Sequence, residues 1–169
     1  MRENAHIHYS SHLPLLIKMV SITDGDVLEL GTGIFSTPVL HWMCVPDERN
    51  LVSYEGDKKY YELAKQYSHK FHTINFAEEF DDIEIEKPWD VVFIDHEVHE
   101  VGNRSKVAKK VANYAKFVIL HDTCWRNRRF HHYEEIYPLF KYRYQFQLES
   151  PKTTVVSNFV DVNELGLWK

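Results

Sequence analysis

Short apolar runs in this sequence each end in glycine or in a polar residue, and helix-like stretches separate them. The clearest runs are 27–30, 51–54, 89–94 and 117–120. They end at Gly31-Thr32-Gly33, Glu55, Asp95 and His121-Asp122, in that order. Strands that alternate with helices are typical of a parallel sheet covered on both faces, and open sheets of this kind bind ligands at the carboxyl edge of their strands. The sequence therefore predicts an α/β fold with a ligand site at that edge.

The remaining predicted elements continue this alternation. Helical patterns are found over 13–22, from 36, over 57–68, over 104–114 and over 133–140. A short strand is predicted over 71–74 and an acidic loop over 77–87. Residues 142–148 and 153–159 are rich in strand-forming side chains and predict an antiparallel hairpin around Pro151. A length of 169 residues fits one domain, so we expect 1–169 to fold as a single unit.

The composition argues against several classes of protein. A net charge of -5 disfavours a general nucleic-acid binder, which usually presents a basic face. No apolar run approaches the ~20 residues that cross a bilayer, and the first residues lack the apolar core of a signal peptide. The two cysteines, Cys44 and Cys124, form no metal-binding pair and suit a reducing compartment. We expect a cytoplasmic protein without a membrane partner.

The glycine turn after the first strand is the first candidate site. A turn without Cβ atoms lets a ligand approach the backbone, although a plain tight turn is the alternative explanation. Glu55 follows Gly31 at roughly the 20-residue spacing that suits a ribose-binding acid. Glu29, just before the turn, would attract an ammonium group and repel a pyrophosphate. Ser36 stands where a dinucleotide fingerprint has its third glycine.

These motifs resemble those of the class I S-adenosylmethionine-dependent methyltransferases. Residues 27–33 are similar to the first motif of that family, 54–57 to its ribose-binding motif, 90–95 to its fourth motif and 118–123 to its fifth strand. The resemblance covers roughly 12–160 and includes features of the small O-methyltransferase-like branch. It implies a three-layer Rossmann-like sandwich with a seven-stranded, mostly parallel sheet and an antiparallel C-terminal hairpin.

The resemblance also implies a cofactor, S-adenosyl-L-methionine, and the residues that hold it. The turn and its neighbouring acids would hold the methionine end, Glu55 the ribose, and Asn75-Phe76 the adenine. Asn75 departs from the acid that the family often has there. The cofactor-binding candidates are Glu29, Gly31, Thr32, Gly33, Ser36, Glu55, Gly56, Asn75, Phe76 and Asp95.

Methyl transfer to a hydroxyl needs in-line positioning and a base, and imidazole titrates in the right range. The catalytic candidates are His96, His99, His121 and Asp122. For each histidine a structural hydrogen bond is the alternative. Some related O-methyltransferases bind a divalent cation with acids at the positions of Asp95 and Asp122, but Thr123 replaces their asparagine, and we predict no metal. Residues 8–12 are expected to fold over the cofactor.

The sequence favours a methyltransferase that acts on an oxygen of a small-molecule acceptor. Three arginines follow the fifth strand: Arg126, Arg128 and Arg129. They are as consistent with binding of an anionic acceptor as with a solvated loop. A homodimer is also left open. The alternative is an S-adenosylmethionine-binding protein that transfers nothing and acts as a binding or scaffold module. A nicotinamide-dependent oxidoreductase is disfavoured by Glu29 and Ser36.

Overall fold

A computed structural model describes residues 7–96, 103–147 and 150–166. Its strands are β1 (Val27–Leu30), β2 (Leu51–Glu55), β3 (His72–Phe76), β4 (Trp89–Ile94), β5 (Ala115–Leu120), β6 (Tyr142–Phe146) and β7 (Thr153–Ser157). Its α-helices are α1 (Leu13–Ser21), α2 (Ser36–Cys44), α3 (Lys58–Ala64), α4 (Asn103–Val111), α5 (Trp125–Phe130) and α6 (Tyr133–Ile136). Short 3₁₀ turns lie at Ile7–Ser10, Lys65–Tyr67, Phe80–Asp82 and Tyr137–Leu139.

The seven strands form one sheet in the order β3-β2-β1-β4-β5-β7-β6. Strands β1 to β5 run parallel, and β7 lies antiparallel to both β5 and β6. The predicted seven-stranded, mostly parallel sheet with its C-terminal hairpin is therefore confirmed. Because the chain moves outward from β1 to β3 and then returns to β4, the strand order reverses between β1 and β4. Open α/β sheets bind ligands at such a switch point.

Two apolar clusters cover the two faces of the sheet, because successive strand residues point to opposite sides. Leu28 and Leu30 join the cluster that includes Val107 of α4, whereas Val27 joins the cluster that includes Leu16 of α1 and Leu40 of α2. The sheet is thus the middle of three layers, as predicted. All four residues of β1 are buried, which explains its continuous run of large side chains.

The helices after β5 differ from the prediction. Arg126, Arg128 and Arg129 lie on α5 rather than in a loop. No residue of α5 is buried, so no apolar periodicity marks this helix in the sequence. Arg128 pairs with Glu134 at 2.6 Å, and the Arg129 guanidinium lies 5.0 Å from the centre of the Trp125 ring. Within the described ranges, no helix combines the length and apolar character that crossing a membrane requires.

Candidate functional site

The turn between β1 and α2 lies at the switch point, and its first residue must be glycine. Gly31 has a φ of 94°, a left-handed conformation that side chains with a Cβ rarely adopt. A Cβ added there would lie 2.5 Å from the backbone nitrogen of His96. The end of β4 therefore fills the space in front of Gly31, so this glycine serves close packing rather than ligand approach. The part of the turn that borders open space is Thr32-Gly33, which lines a small cavity of about 110 Å³ against α3.

Glu29 lies beneath this turn and is fully buried. Its carboxylate accepts hydrogen bonds from the hydroxyls of Thr37, at 3.0 Å, and Ser53, at 2.6 Å. Thr37 in turn accepts a bond from the Gly33 amide at 2.9 Å. Burial raises the pKa of Glu29 to about 7, although the hydroxyls of Ser53, Ser36 and Thr37 lower it. The predicted direct contact between Glu29 and a ligand ammonium does not fit this enclosed position, and Glu29 instead holds the turn in shape.

Glu55 lies at the end of β2 and bonds to the same turn from the other side. One carboxylate oxygen accepts from the amide of Thr32, at 2.6 Å, and from its hydroxyl, at 2.8 Å. The other accepts from the amides of Gly56 and Asp57, each at 2.8 Å. A carboxylate has about four acceptor sites, and all of them are used. A ribose hydroxyl can therefore bind Glu55 only by replacing one of these four donors. Three of them are backbone amides, whereas the Thr32 hydroxyl leaves Glu55 when its side chain rotates.

A cavity of about 480 Å³ opens beside Glu55, at the carboxyl ends of β2 and β3. This volume falls in the range of small-molecule sites. The cavity is lined by Glu55, Gly56, Asp57, Lys58, Phe76, Glu78, Glu79 and Phe80. Three sequence-predicted residues, Glu55, Gly56 and Phe76, therefore share one cavity. Asn75, the residue before Phe76, pairs with Tyr54 in the sheet and is half-buried.

A second polar cluster lies where β4 and β5 end. His121 Nδ1 is 2.9 Å from Asp95 Oδ1, and His121 Nε2 is 3.1 Å from Ser11 Oγ. Ser11 donates its own proton to the Pro151 carbonyl at 2.8 Å, so Nε2 is the donor to Ser11. Both ring nitrogens of His121 then act as donors, as in an imidazolium ion. Burial lowers the pKa of His121, but Asp95 and Asp122 outweigh it, and the pKa is raised above its usual value.

Arg104, in the first turn of α4, is buried between the two acids of this cluster and was not predicted from the sequence. Its Nη1 lies 3.1 Å from Asp95 Oδ1 and 3.3 Å from Asp122 Oδ2. His121 and Arg104 hold the pKa of Asp95 well below its usual range, against the effect of burial. Asp122 has a left-handed φ of 58° and accepts a further bond from Asn127 at 3.1 Å. Two neighbouring carboxylates at a sheet edge require a nearby cation. In the sequence, this requirement was the feature from which Arg104 could have been inferred.

His96 lies in the interior rather than in the cleft. Its Nε2 is 3.0 Å from Asn103 Oδ1, and its ring stacks on Phe80 with 4.1 Å between the ring centres. Burial lowers its pKa to about 3. A base must exchange protons with an acceptor, so the prediction for His96 does not fit this position. His99 lies outside the described residues. Ser36 is buried at the start of α2, with its hydroxyl next to Gly33.

Known structures share this architecture. No protein-family model and no curated protein matches the sequence. An O-methyltransferase, TomG from Streptomyces achromogenes, was solved with S-adenosylmethionine and gives a TM-score of 0.65 at 14% identity over 89% of this chain and 79% of TomG. The N-methyltransferase NodS from Bradyrhizobium japonicum gives 0.61 at 12% identity over 93% and 99% of the two chains. Human methyltransferase-like protein 13, solved with S-adenosylhomocysteine, gives 0.62 at 17% identity over 92% and 84%. The chain therefore has the fold of the class I S-adenosylmethionine-dependent methyltransferases.

Proposed function

We propose that this protein binds S-adenosyl-L-methionine at the carboxyl edge of its sheet and transfers the methyl group to a small-molecule acceptor. The observation that carries the proposal is the cavity lined by Glu55, whose carboxylate bonds to Thr32 of the glycine turn at the switch point of this fold. TomG and methyltransferase-like protein 13, which share the fold, were solved with this cofactor or its demethylated product. Their likeness supports the cofactor more strongly than it supports any particular acceptor.

The cavity suits the adenosine end of a cationic cofactor. Phe76 offers an aromatic wall for adenine, and Glu55 binds the ribose after the Thr32 hydroxyl rotates away. Carboxylates dominate the lining, with one lysine among them. This negative charge attracts a ligand with a sulfonium and an ammonium group, and it repels a pyrophosphate. The lining therefore favours S-adenosylmethionine over a nicotinamide dinucleotide.

The methionine end of the cofactor extends along Thr32-Gly33 toward Asp95 in this proposal. Asp95, whose side chain is 23% exposed, supplies a carboxylate to the ammonium group. The first amides of α2 are available to the carboxylate of the amino acid. Glu29 acts here as a positioning residue, because it reaches the turn only through Thr37.

His121 is buried like His96, but it contacts the partly exposed carboxylates of Asp95 and Asp122 and is therefore better placed than His96 for an acid–base role in methyl transfer to oxygen. When bound, the cofactor supplies an electrophilic methyl group on sulfur. Asp95 orients the His121 ring through Nδ1 and raises its pKa. His121 accepts the proton of the acceptor hydroxyl once it has itself lost a proton, so the reaction is expected to speed up as pH rises. A purely positional role for His121 would leave the rate insensitive to its titration.

The ribose contact gives the sharpest test of this proposal. Glu55→Gln is expected to weaken S-adenosylmethionine binding about 10-fold or more, because a charged hydrogen bond contributes about 1.5–3 kcal/mol. Thr32→Val keeps the amide donor, removes the competing hydroxyl and should bind the cofactor as well as or better than the parent chain. Glu62→Gln, on the exposed face of α3, is the matched control. Calorimetry that finds Glu55→Gln unchanged and Thr32→Val weakened would contradict the proposed ribose site.

Transfer itself is tested by incubating the protein with S-adenosylmethionine labelled on its methyl group and a panel of hydroxylated and aminated small molecules. Label in a hydroxylated product supports O-methylation, and label in an aminated product shows N-methylation instead. Binding without transfer to any member of a broad panel favours the alternative, a protein that binds the cofactor and acts by association.

A further inference from the structure

We propose that His12, Asp95 and His121 form a binding site for a divalent transition-metal ion such as Zn²⁺. One ligand atom from each of the three residues lies within 4.8 Å of the others. The three residues come from distant parts of the chain: the position before α1, the end of β4 and the end of β5. An ion here would tie the N-terminal segment to the centre of the sheet. The proposal does not depend on S-adenosylmethionine binding, and an ion bound here would occupy the Asp95 and His121 atoms to which the proposed function assigns the ammonium contact and the proton.

The buried side chain of His12 indicates that a ligand binds here. Its residue is 2% exposed, and neither ring nitrogen has a hydrogen-bond partner in the described part of the chain. A neutral imidazole has one donor and one acceptor, and leaving buried polar groups unpaired is costly. The ring packs against Phe93, at 4.8 Å between centres, and meets the edge of the His121 ring at 4.9 Å. Phenylalanine would serve that packing without the cost, so packing alone does not account for histidine.

His121 and Asp95 lie almost at the spacing of neighbouring metal ligands. His121 Nδ1 and Asp95 Oδ1 are 2.9 Å apart, whereas two tetrahedral ligands with bonds of about 2.1 Å lie about 3.4 Å apart, so a shift of roughly 0.5 Å admits the ion. The ion takes the place of the proton between these atoms, which leaves to solvent. On the far side, His121 Nε2 donates to Ser11, which donates to Pro151. Metal-binding histidines typically make such a bond with their second nitrogen.

The charges around the site tolerate a cation. Arg104 lies 3.1 Å from the same Asp95 oxygen and also pairs with Asp122. The two carboxylates carry two negative charges, and the guanidinium neutralises one of them. Two imidazoles and one carboxylate suit Zn²⁺ or Co²⁺, whereas Mg²⁺ and Ca²⁺ prefer oxygen ligands throughout. The sequence predicted no metal at Asp95 and Asp122, and the proposed ligand set differs in using the two histidines.

The order Ser11–His121–Asp95 also resembles a hydrolytic triad, but the hydrogen bonds run the other way. The Ser11 hydroxyl donates to the Pro151 carbonyl at 2.8 Å. Its proton is therefore directed away from His121, and a nucleophilic serine needs the imidazole as its acceptor. Ser11 is also buried. The geometry points to Ser11 as a support for His121 rather than as a nucleophile.

Calorimetric titration of the chelator-treated protein with Zn²⁺, in the absence of S-adenosylmethionine, tests the site. Co²⁺ in place of Zn²⁺ gives a visible absorption spectrum that reports histidine ligation. His12→Phe keeps an aromatic ring against Phe93 and removes one ligand, so it should weaken Zn²⁺ binding by at least about 100-fold, the upper end of what the loss of an outer-shell partner causes. Ser11→Ala removes such a partner and should cost about 10-fold. His41→Phe is the control, because His41 lies 3.0 Å from His72 in a separate histidine pair.

The expected result is one Zn²⁺ per chain, with affinity lost in His12→Phe and kept in His41→Phe. The unfolding temperature of the parent chain should also rise with Zn²⁺ concentration, because an ion that binds only the folded state stabilises it. Absence of Zn²⁺ binding, or equal binding by His12→Phe, overturns the proposal. If circular dichroism shows His12→Phe to be unfolded, Asp95→Asn replaces it, and undiminished Zn²⁺ binding by that variant overturns the proposal in the same way.

Discussion

Replacing the buried Glu29 by glutamine is expected to change how the stability of the fold depends on pH. Burial raises the pKa of this carboxyl from 4.5 to about 7 in the folded protein. Between these two values the folded chain keeps a proton that the unfolded chain releases. The unfolded state therefore binds fewer protons, and stability falls as pH rises from about 4.5 to about 7. Above that range the loss stays constant.

The size of this loss follows from the pKa difference. One pKa unit corresponds to about 1.4 kcal/mol, so the charged Glu29 costs about 3 kcal/mol above pH 7. Glutamine does not titrate, and the variant therefore escapes this part of the pH dependence. The free energy of unfolding of Glu29→Gln, relative to the parent chain, should increase by about 3 kcal/mol between about pH 4.5 and about pH 8.

Urea unfolding of both proteins at several pH values measures this difference. Comparing the two chains cancels other titrating groups, among them His72, whose pKa burial and His41 lower to about 3. Glu62→Gln removes an exposed carboxyl from α3 and should show no such trend. A difference between Glu29→Gln and the parent chain that stays flat with pH would refute the reasoning. It would mean that the carboxyl beneath the turn is solvated.

Three further outcomes are expected. Gly31→Ala should destabilise the fold by about 3 kcal/mol or more in urea unfolding. Gly166→Ala, with φ of 61° and no atom of the described residues within 4 Å, should cost much less, and equal losses would contradict the close packing at the turn. Arg104→Met should cost about 3 kcal/mol of unfolding free energy, because it leaves two partly buried carboxylates with the His121 ring as their remaining cation; a loss below about 1 kcal/mol would place them in solvent. Methyl transfer measured with EDTA present should increase with pH through a His121 pKa above 6.5, and Asp95→Asn should move that step to lower pH; an unmoved step would assign it to another group.

Much of the fold was predictable from the sequence, and the reason is the period of its apolar residues. Strands β1 and β4 have the predicted bounds, because both are buried runs, interrupted in β4 only by Asp90, and each is followed by glycine or a polar residue. Asp57 was predicted to begin α3, and its carboxylate accepts bonds from the Lys59 and Tyr60 amides. Helix α5 was missed because it buries nothing and therefore carries no pattern.

The candidate site was predictable only in part. Sequence spacing brought Glu55 and Phe76 to one cavity, because both end parallel neighbouring strands. It gave no sign that Glu29 points beneath the turn, since the pattern of a strand buried on both faces does not distinguish its sides. Residues 8–12 were expected to fold over the cofactor, but nothing in the sequence indicated that His12 is buried against His121 or that Arg104 lies between two carboxylates. Their significance arises only when the fold brings distant segments to Asp95.

The proposed function requires that an adenosyl amino acid binds in the cavity at the carboxyl edge of the sheet. Calorimetric titration of the parent chain with S-adenosylmethionine, and separately with NAD, tests this directly. We expect saturable binding of one S-adenosylmethionine per chain and weaker or undetectable binding of NAD, because the carboxylates that line the cavity repel a pyrophosphate. Tighter binding of NAD, or no binding of S-adenosylmethionine by folded protein, would contradict it.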